Sequence, residues 1–251
     1  MSKIVERAFD FLELFADERR PLPLSEVANL LSIPLSSAHD VVRSLLARGY
    51  LYEVTPRVGY YPTSRLHDLA TVIAEHDPVI ARAASLLRWL RDTLDETVLL
   101  SKVRGLTATY LLAFETSHQL RLMVKVGDNI RGLFTTSAGK ALLGSLDPAA
   151  LEDCLSKVHL TPVTPRTITT LDAFRADLEV SRARGWYLSD GESLNDVTTL
   201  SARFTWSSSI YIVTIVGPSS RMAPRLEASA NMLVHLCQLL ATPGGPPAPG
   251  F

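Results

Sequence analysis

Cysteine is almost absent from this 251-residue chain, which holds only Cys154 and Cys237. Neither stands in a Cys-x-x-Cys or Cys/His cluster, and the six histidines show no metal-ligand spacing. The pattern therefore argues against a disulfide framework and a zinc site, and implies no metal or other cofactor. Two unpaired thiols suit a reducing, cytoplasmic setting. Long hydrophobic runs are missing too: nothing approaches the roughly 18 apolar residues of a membrane span. The opening Met-Ser-Lys-Ile-Val-Glu lacks the apolar stretch of a secretory leader. Nor does one sign of charge dominate, since 25 basic and 26 acidic residues leave a net charge of −1. No global positive field advertises nucleic acid. Residues 1–65 carry eight basic and eight acidic residues, so any DNA contact there falls to a few placed arginines, helped by doubling the domain in a dimer. Apolar residues are what the chain has in quantity: at 47% they can build the core of one large domain or two modest ones.

The richest local pattern lies in residues 25–62. A short helical stretch, Ser25 to Leu31, meets the turn Ser32-Ile33-Pro34, and a second stretch runs from Ser36 to Leu46. In the second, Ala38, Val41, Val42, Leu45 and Leu46 recur at three and four residues and form an inward stripe. Ser36, Ser37, Asp40, Arg43 and Ala47 fall on the opposite face. A polar, small-residue helix face is what the major groove of DNA admits. Gly49 stops this helix, and Tyr50 to Val54 and Tyr60-Tyr61 read as two strands of a wing with Arg57 near its tip, within reach of a phosphate or a minor groove. The same shape also serves as a helical hairpin packed inside larger domains.

Outside this segment the pattern is mixed. A first helix is expected over residues 3–16, with Val5, Ala8, Phe9, Leu12, Phe15 and Ala16 at helical spacing, and residues 67–76 read as a connecting helix. Asp77-Pro78 then supplies an N-cap with proline at the first helical position, opening a helix with Ile80, Ala83, Ala84, Leu87, Leu90 and Leu94 on one face. From residue 97 the period becomes extended, and 97–103, 107–114 and 120–126 read as a three-stranded antiparallel meander. Helices return at 137–146, from Asp147-Pro148 onward and over 170–184. Two more strands, 197–204 and 210–217, precede a last helix through Met232 and Leu240. Strands flanked by helices rather than alternating with them argue for an α+β sensor-type domain. The Pro/Gly-rich stretch 243–251 reads as a disordered tail.

Little in the chain resembles a catalytic centre. Gly132 to Ala141 suggests a phosphate loop but fails it, because six residues separate Gly132 from Gly139 where four are needed and Ala141 stands where Ser or Thr should. It reads better as a helix start whose N–H groups at Ser137, Ala138 and Gly139 face a cavity, or as an ordinary N-cap without a ligand. Thr199, Ser201 and Arg203 share one face of their strand, and Ile212, Thr214 and Val216 one face of the next. Sparse hydroxyls on apolar walls suit a small polar ligand. Asp190 and Glu192 could do acid–base work, but a carboxylate pair in a loop is more often simply solvated. No Ser-His-Asp or Cys-His set is present, and the chain is read as a non-enzyme.

These segments, taken in order from about residue 3 to 241, resemble the IclR family of bacterial transcriptional regulators. Val5-Glu6-Arg7-Ala8, Leu24 to Ala28, Ser36-Ser37-Ala38-His39 and Leu45 to Leu51 resemble its winged helix-turn-helix. Thr136 to Leu143, Thr161-Pro162, Thr167 to Thr169, Arg182 to Trp186, Asp190-Gly191-Glu192 and Val216-Gly217-Pro218 resemble its effector domain. The resemblance implies a DNA-binding domain over 1–66, a linker helix over 67–77, and a GAF-like effector-binding domain over 78–242 with an antiparallel sheet and flanking helices. It also implies a homodimer or dimer of dimers acting on double-stranded operator DNA, with no membrane, in response to a small organic acid or aromatic metabolite. DNA contacts would fall on Ser36, Ser37, His39, Asp40, Arg43 and Arg57. By residue matching, effector contacts would fall on Ser137, Ala138, Asp190, Thr199 and Thr214, with Val216 lining the site. Departures are Asp40, where the family often carries Arg and which can accept from a cytosine amine, and Arg203, where proline is usual. Arg203 either pairs a ligand carboxylate or lies on the surface. An alternative reading, motivated by Asp40 and the balanced charge of residues 1–65, is a metabolite sensor that acts through protein partners with a degenerate DNA-binding domain.

Overall fold

Phe11 and Phe15 stand one helical turn apart on α1 (Lys3–Glu18), and both are buried. They pack against α2 (Leu24–Leu30) and α3 (Leu35–Ala47) in a core shared with Val27, Ala38, Val41, Val42 and Leu45. The helix therefore turns a different side inward from the one read in the sequence: Phe11 joins the core, while Val5, Phe9 and Ala16 are exposed. The wing consists of β1 (Leu51–Thr55) and β2 (Gly59–Pro62), an antiparallel pair with a bulge at Val54. Leu22 exchanges two backbone hydrogen bonds with Tyr60 and ties the α1–α2 connection to the wing. Gly59 has φ +103°, and a Cβ there would overlap the Leu22 carbonyl, so this close approach needs glycine. Helix α4 (Arg65–Glu75) follows.

The computed structural model describes residues 3–56, 58–119, 121 and 123–242. Arg57 and the stretch 243–251, read as a tail, lie outside the described residues. Two units divide between His76 and Asp77.

Asp77 caps α5 (Pro78–Leu94), its carboxylate accepting from the Val79 and Ile80 N–H groups. The helix buries Val79, Ala83, Leu86, Leu87, Leu90 and Leu94, with Ile80 and Ala84 at the margin. Strands β3 (Thr97–Arg104), β4 (Thr107–Phe114), β5 (Tyr187–Asp190), β6 (Val197–Trp206) and β7 (Ser209–Pro218) form one antiparallel sheet in the order β4-β3-β7-β6-β5. Period-two alternation divides its faces. Val98, Leu100, Leu200, Ala202, Val213 and Ile215 pack against α5 and α10 (Leu226–Ala241). Ala108, Tyr187 and Ile212 pack on the other face against α6 (Ser137–Leu143), α7 (Pro148–Ser156) and α8 (Leu171–Arg184). A short helix α9 (Ser219–Met222) and a 3-10 turn join β7 to α10.

The α+β architecture and the winged helix-turn-helix agree with the sequence reading, but three elements differ. The strand expected over 120–126 does not form among the described residues. The hydrogen bond from Asp128 N–H to the Lys125 carbonyl and φ +94° at Gly127 make a turn there. Among the described residues this segment meets the β4 edge at 127–130, through bonds between Tyr110 and both Gly127 and Asp128 and from Ile130 to Ala108. Strand β5 was hidden in the sequence because its four residues end in Ser189-Asp190, which resembles a loop. Finally, α6 ends at Leu143 rather than 146.

Gly139 sits so close to the Leu133 carbonyl that an added Cβ would overlap it. Gly139→Ala should cost about 1–3 kcal/mol through overpacking, read by urea denaturation; wild-type stability would show that α6 is free to move off Leu133.

Candidate functional site

Two surfaces carry the sequence-predicted residues, one in each unit. In the first, burial of Ala38, Val41, Val42 and Leu45 leaves Ser36, His39, Asp40, Arg43 and Ala47 exposed on α3, with Ser37 half-buried. Asp40 stands 3.3 Å from Arg43 one turn on, and its carbonyl accepts from the Ser44 hydroxyl. An exposed pair of this kind contributes little to stability but limits where the guanidinium points. Arg20 is engaged by Glu18 and Glu26, and its hydrogen bonds hold the Glu26 carboxyl below the usual carboxylate range. Arg65 lies over the Tyr50 ring at the base of the wing.

In the second unit, a cavity of about 650 Å³ opens between the sheet, the start of α6 and the segment 123–136. Its volume falls within the roughly 300–1,000 Å³ of small-molecule pockets. Leu99, Tyr110, Val163, Leu194, Val197 and Val216 supply apolar wall, and Lys125, Asp128 and Arg131 supply charge. Tyr110 reaches this face because β4 bulges at Leu111, so that Leu100 pairs with Leu112 but Ser101 pairs with Tyr110. Desolvation raises the Tyr110 phenol above its ordinary value.

Five of the seven sequence-predicted effector residues, Ser137, Ala138, Thr199, Thr214 and Val216, line this cavity. The Ser137 hydroxyl donates to Thr199 Oγ1 at 2.7 Å, so Ser201 must donate to Ser137 (2.7 Å) and Thr214 to Ser201 (2.8 Å). The relay ends at Thr199, whose oxygen also accepts from the Ser137 N–H and whose own proton has no acceptor among the described residues. Buried donors of this kind look for a partner. Of the helix-start N–H groups, Ser137 is thus taken by Thr199 and Gly139 by the Thr136 hydroxyl, which leaves Ala138.

The other two lie elsewhere. Asp190 ends β5 rather than sitting in a loop, and it is held by Arg166 (2.6 Å), Thr198 (2.6 Å) and Ser219 (3.1 Å) away from the cavity lining. Arg203 shares the Thr199 face but lies four residues along β6, near the exposed end, in a groove with Arg182 and Gln238.

Comparison with known proteins identifies the assembly of these parts. The family described as "IclR helix-turn-helix domain" matches residues 4–55, and "Bacterial transcriptional regulator IclR C-terminal" matches residues 71–238. The chain belongs to the IclR family. IclR proteins are DNA-binding transcriptional regulators with an effector-binding domain, not enzymes. The HTH-type transcriptional regulator BhcR of Paracoccus denitrificans is 28% identical over 95% of this IclR chain and 86% of its own length. The glycerol operon regulatory protein of Streptomyces griseus is 29% identical over 88% of this chain and 86% of its own. A crystal structure of an IclR homolog from Microbacterium hydrocarbonoxydans, complexed with 4-hydroxybenzoate, shares the fold at a TM-score of 0.68 and 20% identity, covering 95% of this chain and 98% of that one. Among the described residues no helix is long and apolar enough to cross a membrane.

Sequence reasoning missed two groups in this IclR chain. Tyr110, Lys125 and Arg131 reach the cavity through a bulge and an irregular segment, which leave no periodic signal. Lys140 entered only within the failed phosphate loop and the Thr136 to Leu143 segment of the resemblance, with no role of its own, yet it is fully buried and bonded to Glu192 at 2.6 Å. A lysine in the otherwise apolar and small run of α6 was the available hint. Burial pushes the Glu192 carboxyl above the usual carboxylate range, with Lys140 opposing that shift.

Thr199→Val keeps the volume but strands the Ser137 hydroxyl and N–H, a loss of about 1–3 kcal/mol. Chemical denaturation reads this directly, and an unchanged midpoint would mean that the relay is dispensable.

Proposed function

We propose that this protein is a ligand-responsive regulator that binds a small organic acid or aromatic metabolite in the cavity beside α6 and, as a homodimer or dimer of dimers, reads operator DNA with the exposed side of α3. The functional division is 1–66 for DNA, 67–77 as a linker helix and 78–242 for the effector. The observation that carries the ligand class is the Thr199 proton: a hydroxyl relay that ends in an unmatched donor on the cavity lining asks for an acceptor such as a carboxylate. Lys125 and Arg131 outnumber Asp128 at the same cavity and favour the same sign. Apolar walls suit an aromatic or aliphatic body, and 4-hydroxybenzoate, the ligand of the Microbacterium homolog, is a reasonable first probe.

On the DNA side, Ser36, His39, Asp40 and Arg43 form the reading face, with Arg43 suited to guanine and Asp40 to cytosine. Exposed Leu69, Val72 and Ile73 share one side of α4 and support self-association near the linker. An effector shifts such a system only by its difference in affinity between two arrangements, and roughly 1–3 kcal/mol of coupling gives a several-fold response. The Asp40–Arg43 pair favours a second reading, in which the α3 face is self-neutralised and the protein signals through partner proteins.

Binding to the protein's own upstream DNA should exceed binding to random duplex and weaken steeply with salt. Arg43→Ala should cost about 1–3 kcal/mol of that preference. Equal affinity for both duplexes would overturn the DNA reading and favour the partner model. Thermal shift with 4-hydroxybenzoate and related acids tests the cavity, since a ligand of the folded state raises its stability.

A further inference from the structure

Lys140 is a charge buried where apolar packing would have served. Its ammonium donates to Glu192 Oε1 at 2.6 Å and to the Leu188 carbonyl at 3.0 Å, and it stands 2.9 Å from Asp177 Oδ2 on α8. The side chain is fully buried, and that of Glu192 nearly so. A buried ion pair seldom stabilises a fold more than well-packed apolar residues of the same volume would, so its use is better sought in the geometry it imposes.

That geometry joins two sides of the cavity. Ser137 and Ala138, just before Lys140 on α6, form one side, and Ser193 and Leu194, just after Glu192, form another. The turn that carries Ser193 and Leu194 is irregular, with Asp196 at φ +60°, and its backbone ties are three: Gly191 N–H to the Val197 carbonyl, Val197 N–H to the Leu194 carbonyl, and Ser219 N–H to the Asp196 carbonyl at its far end. Hydroxyls hold its start, Thr164 donating to the Gly191 carbonyl at 2.6 Å and Thr167 to the Glu192 carbonyl at 2.8 Å. Among the described residues, the hydrogen bond from this turn to α6 is the one that the Glu192 side chain accepts from Lys140.

We propose that Lys140 and Glu192 are positioning residues, a staple that holds the 191–196 turn against α6 and so fixes the wall of the cavity that Ser193 and Leu194 form. The inference rests on reading the cavity as the effector site for its meaning, but not for its test.

Hydrogen exchange on the full-length, ligand-free protein reads the staple. Lys140 with Asp177 and Glu192 carries one excess negative charge, so Glu192→Gln leaves the cluster neutral and strands no ion. In E192Q the amides of 191–197 should exchange about tenfold faster or more while those of β3 and β7 keep their wild-type rates, the signature of local rather than global opening. Arg166→Ala, which removes the exposed bridge to Asp190 at the same turn, should leave those amides within about twofold of wild type. Should E192Q speed exchange everywhere, Glu192→Asp, which keeps the charge but shortens its reach, decides between the two. Wild-type exchange of the turn in E192Q, or in E192D where that variant decides, overturns the staple and leaves the cavity reading intact. Absence of any thermal shift with small acids counts against the cavity reading and leaves the exchange result standing.

Discussion

Strict alternation along β6 and β7 is the constraint on which the C-terminal unit depends. Leu200 and Ala202 face the α5–α10 side, where a dry core requires them, so Thr199 and Ser201 between them must face the opposite way. The same holds for Val213 and Ile215 against Thr214 and Val216. A slip of one residue would bury hydroxyls among leucines and bare the cavity to aliphatic groups. One face therefore sets the register, and the other uses it. Four hydroxyls on three elements come within hydrogen-bonding distance because the apolar residues next to them leave the strands no other arrangement.

How much of this was legible follows the same physics. Ala38, Val41, Val42 and Leu45 declared the inward face of α3 because helical spacing is dense there. On α1 the signal was ambiguous: Phe9 and Phe11 both offer an aromatic anchor, and only the packing partners on α2 and α3 select Phe11. Thr199, Thr214, Ser137, Ala138 and Val216 were legible as cavity residues because they sit on regular elements. Asp190 and Arg203 fall outside this cavity: the four-residue edge strand that Asp190 ends shows too little alternation to be seen, and sharing a face does not mean sharing a cavity when the strand is ten residues long.

Charge behaves differently in the two units. On the surface of the N-terminal unit, acidic partners occupy two of the arginines: Arg20 lies between Glu18 and Glu26, and Arg43 lies beside Asp40. These acids limit how much free positive charge the two arginines leave on that surface. In the interior of the C-terminal unit, charge is used structurally. Glu96 is fully buried and takes a bidentate pair of bonds from Arg221 and a third from Arg225, tying the start of β3 to the α9 region. Gly217 is needed beneath that carboxylate, since a Cβ there would press on it.

The extra residue at Leu111 has an evolutionary corollary. From Leu112 to Phe114 the strand β4 keeps step with β3, and before the bulge its side chains take the other side, which turns Ala108 and Tyr110 toward the cavity face without disturbing Leu112 or Phe114. Gain or loss of one residue at this point would swap an aromatic phenol for a different wall while the helical layer behind the sheet kept its contacts. Descendants of such a scaffold can thus acquire new chemical tastes by a single-codon insertion or deletion, a shorter path than rebuilding the receptor one side chain at a time.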